Sequence, residues 1–106
     1  MPRGAGGAPL HGTRWVHAYE EDTADGAVYR PDSAGLPPSR RPREQFELSE
    51  DGSASLYVGG PDDRLLVRDA EWKLEGDDVV IRRRGTPAEV LRIIARAPDR
   101  LVVRRP

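Results

Sequence analysis

The chain has 106 residues, 37% of them hydrophobic, and a formal net charge of −1. That length supports one domain with a modest core and excludes a second. The near-neutral charge excludes a global pull toward nucleic acid or anionic membranes, and the lack of cysteine excludes disulfides and thiolate metal sites. Sixteen of the seventeen basic residues are arginine, a bias that GC-rich coding produces without selection for guanidinium chemistry. Arginine number alone therefore carries no functional weight.

Residues 1–12, MPRGAGGAPLHG, hold no apolar run of the kind a secretory signal needs and almost nothing to bury, so they are expected to be disordered. No stretch approaches the ~18 apolar residues of a membrane span, which points to a cytoplasmic protein with no membrane partner. The folded unit is expected over 13–106. It opens with TRWVHAYE, in which Trp15, His17 and Tyr19 alternate with Val16 and Ala18, the pattern of a strand. The acidic run Glu20-Glu21-Asp22 reads as a solvated turn leading to a short second strand, Ala27 to Arg30, that carries Tyr29. Residues 31–43, PDSAGLPPSRRPR, contain four prolines and form a long loop, since each proline fixes φ and removes a donor. Whether that loop is a lid or a plain excursion stays open.

Tight turns punctuate the rest. Glu50-Asp51-Gly52 suits a type I turn with a glycine bulge, which sets Phe46 opposite Leu56 and Leu48 opposite Ala54. In Ala70 to Arg84, AEWKLEGDDVVIRRR, a two-residue Gly76-Asp77 loop sets Trp72 opposite Ile81 and Leu74 opposite Val79, with Glu71 and Arg82 paired on the other face. The apolar pair Leu65/Val67 has the opposite parity to Trp72/Leu74, and a bulge near Asp69 is expected to reconcile them. Residues 88–97 are read as a strand because Val90, Ile93 and Ile94 lie between Pro87 and Pro98. A three-residue connection then sets Ile93 against Val103 and Ala95 against Leu101. The sum is an all-β protein, an up-and-down antiparallel β-barrel of about eight strands that leaves room inside for at most one small ligand.

Gly12-x-x-Trp15 at the first strand, the long loop that follows, the consecutive hairpins, Trp72-Lys73-Leu74-Glu75-Gly76-Asp77-Asp78 and the late arginines resemble the lipocalin-like, or calycin-type, small barrels of bacteria. In that family the motif is Gly-x-Trp, one residue shorter than here. The resemblance implies a barrel closed at one end by Trp15, with Arg104 or Arg105 stacked on its indole.

Candidate site residues are Trp15, His17 and Tyr19 on one face of the first strand, with Tyr29, Arg40 and Trp72. An imidazole and phenols over an indole floor can orient a ligand, and Arg40, Arg41 and Arg43 can pin an anion at the barrel mouth. The expected function is binding of a small, largely apolar ligand in the interior, without cofactor or metal. The alternatives are a cofactor-free cyclase or isomerase that moves a proton on His17, Tyr19 or Glu20, and a structural or protein-interaction barrel with a filled core. No aromatic follows Trp72 among the C-terminal arginines, so nucleic acid is not an expected partner. A monomer or a homodimer fits equally well.

Overall fold

Short runs of alternating apolar and polar residues, separated by glycine turns, build eight strands: β1 Arg14–His17, β2 Ala27–Pro31, β3 Gln45–Leu48, β4 Ser53–Gly59, β5 Leu65–Glu75, β6 Asp78–Arg82, β7 Glu89–Ala97 and β8 Arg100–Arg104. Two 3₁₀ turns, η1 Tyr19–Glu21 and η2 Asp32–Ala34, flank β2. The computed structural model describes residues 10–38, 43–59 and 65–105. Most of the segment expected to be disordered lies outside them, as does the Gly60 to Asp63 turn. Leu10 is buried, and His11 bridges to Leu48, so the described chain is in contact with the barrel from its first residue. Among the described residues no helix is long and apolar enough to cross a membrane.

The strands close into one barrel in the order β1-β2-β8-β7-β6-β5-β4-β3, each antiparallel to its neighbours. From β3 to β8 every strand pairs with its successor. The first hairpin fills the seam between the two ends of that meander, β1 lying against β3 and β2 against β8. It follows that β2 and β3 run the same way on either side of β1, and the 31–43 connection must return along the outer wall of β1. Its described part does so: η2 lies against β1, and Leu36 packs on the outward-facing cluster of Ala18, Val28 and Val102. The described part of the proline-rich segment, 31–38, is a strap on the wall.

The hairpin registers follow from the turns. Phe46 pairs with Leu56 and Leu48 with Ala54, Trp72 pairs with Ile81 and Leu74 with Val79, and Glu71 faces Arg82. Gly76 takes φ +63°, the positive value its turn position requires. Two expectations need correction. The β7–β8 turn holds only two residues, Pro98 and Asp99, and a bulge between Ile93 and Ala95 restores the apolar face: Ile93 still meets Val103, but Ala95 meets Val102 and Arg96 meets Leu101. The expected bulge near Asp69 is absent, because β4 and β5 pair without a shift from Ser53↔Glu71 to Gly59↔Leu65. Val67 instead stays outside.

Eleven apolar side chains from the strands and from Leu10 fill the interior, with Trp15, Tyr29, Phe46, Leu48 and Leu101 the largest, and none keeps more than 6% of its surface accessible. Ala27, Leu56, Ala70, Trp72 and Ile93, partly buried, pack against this cluster.

Candidate functional site

Where β1 ends, His17 turns inward and stacks on Tyr29 with ring centroids 4.9 Å apart, and Tyr29 leans on Phe46 at 5.1 Å. The imidazole Nε2 lies 3.0 Å from both carboxylate oxygens of Asp22, the geometry of an N–H donated to a carboxylate. Asp22 Oδ1 also accepts the N–H of Val28 at 2.9 Å. Burial, reinforced by the Glu44 carboxylate, pushes the Tyr29 phenol up to about 12, so it stays a neutral hydroxyl.

Next to this stack the acidic run resolves into three separate pairs. A 3₁₀ turn has three residues per revolution, so neighbouring side chains fan out by about a third of a turn. Glu20 meets Arg43, Glu21 meets Arg30 and Asp22 meets His17. The expectation of a merely solvated turn is corrected accordingly. Arg43, only 9% exposed, makes four bonds: Nη1 to the His17 carbonyl at 3.0 Å and to Glu20 Oε1 at 2.7 Å, Nη2 to Glu20 Oε2 at 2.7 Å and to the Pro37 carbonyl at 3.0 Å. It also lies 4.8 Å from the ring centre of Tyr19. Arg43 ties its own end of the connection and Pro37 to the end of β1. The guanidinium hydrogen bonds hold the Glu20 carboxyl down at about 2, which leaves it a poor proton acceptor at neutral pH.

The structure thus brings His17, Tyr19 and Tyr29 together, and Trp15 and Trp72 contribute to the core cluster that also holds Tyr29. Trp15 is in the core, its indole N–H donated to the Leu10 carbonyl at 3.2 Å. Trp72, on β5, donates its indole N–H to the Ser49 carbonyl at 2.7 Å. Arg40 and Arg41 lie outside the described residues. The expected stacking of Arg104 or Arg105 on Trp15 is replaced: Arg104 Nε donates to the Asp25 carbonyl at 3.1 Å, and Arg105 pairs with Glu89. Both lie at the end of β8 that meets the start of β2, away from the Trp15 level, where Pro31 is the β2 partner.

A second locus had no counterpart in the sequence reading. β5 has eleven residues and β6 five, so pairing between them stops at Glu71↔Arg82, and, among the described residues, 65–70 pair only with β4. In an antiparallel strand the N–H and C=O of one residue point to the same side and alternate along the chain. Trp72 donates its N–H to Gly52 on the β4 side, so Ala70 and Arg68 bond to β4 while Asp69 and Val67 direct their backbone groups to the side that β6 has left. A groove of about 680 Å³ runs there, between Asp69–Glu71 and Arg82, Arg83 and Arg84 on the far wall. Leu66 and Val67, further along β5 and outside the groove's lining, are 38% and 58% exposed. The readable signals were the mismatch in strand length and the parity of Val67.

Against family models, curated proteins and solved structures the chain shows no match.

Proposed function

We propose that this is a protein-interaction barrel with a filled core, which takes an extended segment of a partner along the open edge of β5. The observation that carries the reading is the six-residue edge, residues 65–70, which has a strand on one side only among the described residues and meets a groove at its Asp69–Ala70 end. Unpaired strand edges are templates for added strands, and main-chain hydrogen bonds then supply affinity. We take the likeness to lipocalin-type barrels as one of architecture. Binding of a small apolar ligand inside would require the packed side chains to part. An acid–base reading has the His17–Asp22 contact in its favour, but Tyr29 beneath it is almost fully buried and Asp22 also holds the Val28 N–H, which makes the pair a staple of the β1–β2 corner.

Selection of a displayed random-peptide library on the intact protein tests the reading. It expects enriched peptides that lose binding to a Val67→Pro variant, whose edge lacks one donor. A selection that yields no peptide dependent on Val67 would overturn it.

A further inference from the structure

The far wall of the β5 groove says which segment fits. Arg82 faces Glu71 across the β5–β6 ladder, while Arg83 and Arg84 follow with no ion pair among the described residues. Elsewhere Arg30 pairs with Glu21, Arg43 with Glu20, Arg92 with Asp78 and Arg105 with Glu89, while Arg96 and Arg100, like Arg83 and Arg84, have no ion pair among the described residues but line no groove with an open strand edge. The groove therefore presents the N–H and C=O of Asp69, with those of Val67 further along the same edge, on one side and Arg83 and Arg84 on the other; of its two carboxylates Glu71 lies opposite Arg82, which leaves Asp69 against two arginines.

We infer that the partner segment is an acidic extended peptide, which adds as a strand to residues 65–70 and sets its carboxylates against Arg83 and Arg84; this rests on the interaction reading above. Guanidinium groups hold carboxylates by paired, charge-assisted hydrogen bonds, and β-addition leaves alternate side chains to choose the partner. A second copy of the chain is a poorer occupant. Its β5 carries β4 on its other side, and two strands would have to enter a groove walled by the 82–88 segment. The acidic residues 20–22 of such a copy are already engaged with its own Arg43, Arg30 and His17.

The test measures binding of the whole protein to three capped eight-residue peptides that alternate Val with Glu, Gln or Lys. The Glu peptide is expected to bind at least tenfold tighter than the Gln peptide and to leave the Lys peptide undetected. Arg83→Glu/Arg84→Glu should cost the Glu peptide at least tenfold and reverse the preference toward Lys. N-methylation of every second peptide residue, in two offset versions, should abolish binding in one version only, with the protein itself untouched. Equal binding of the Glu and Gln peptides, dependent on that N-methylation, would overturn the acidic assignment and leave the edge reading standing. Loss in neither N-methylated version would overturn both. Tighter binding of a single-stranded oligothymidine than of the Glu peptide would overturn the proposal in favour of a nucleic-acid groove.

Discussion

The β1–β2 and β4–β5 hairpins are both antiparallel, and they differ in how fully their polar groups are met. In the first, each acid of the 20–22 run has its own cation, β1 and β2 have strands on both sides, and Leu36 covers part of the outer wall. In the second, the upper half of β5 has a strand on one side only, and Leu66 and Val67 face solvent. A closed barrel has no edge to offer unless one strand outlasts its neighbour. The first hairpin closes the barrel, and the second leaves part of β5 with a strand on one side only among the described residues.

The largest expected effect lies in the sealed region and its core. Trp15→Ala should destabilise the protein by about 3–5 kcal/mol in urea unfolding, whereas Leu66→Ala on the open arm should change stability by no more than about 0.5 kcal/mol. Similar losses at both positions would erase the contrast. Next comes the clamp. Arg43→Ala strands the His17 and Pro37 carbonyls beside Glu20 and should cost about 1–3 kcal/mol, with Arg43→Lys recovering only part because an ammonium cannot span the same forked set of acceptors. Gly26 should be similarly intolerant: an added Cβ would collide with the Val103 carbonyl oxygen, so Gly26→Ala should loosen the β2–β8 closure and lower the melting temperature.

The smallest effect is on pH dependence. Glu20 is held below its ordinary 4.5, at about 2, chiefly by the hydrogen bonds from Arg43. A depressed carboxyl contributes stability that is complete above its unfolded value and is lost as pH falls through the folded one. The clamp should therefore be intact at pH 5 and release between about 4.5 and 2, which a tyrosine-fluorescence acid titration reads through Tyr19. Arg43→Ala should flatten that transition.

Much of the barrel was legible because its hairpins are set by local chemistry. Gly52 and Gly76 fix turns, turns fix register, and register puts Phe46 with Leu56 and Trp72 with Ile81. What lay beyond reach depended on distant partners. Nothing near Glu20 in sequence announces Arg43, and an acidic run reads as solvated until a fold brings three cations to it. Seating the first hairpin between β3 and β8 is likewise a tertiary outcome, which converted a loop of undetermined role into a wall strap. Of the expected site, His17, Tyr19 and Tyr29 do converge, with His17 stacked on Tyr29 and bonded to Asp22. The open edge was hidden for the opposite reason: the parity of Val67 was a true signal, and requiring every apolar residue to face the core explained it away.

Amide hydrogen exchange, resolved by residue, tests the central claim most directly. In the free protein the Val67 and Asp69 N–H groups should exchange fast while those of Arg68 and Ala70, bonded to β4, are protected. Saturating the protein with the Val/Glu peptide should protect Val67 and Asp69 and leave the β1–β2 hairpin unchanged. Slow exchange at Val67 and Asp69 in the free protein, or no gain of protection with the peptide bound, would contradict an open edge that receives a partner strand.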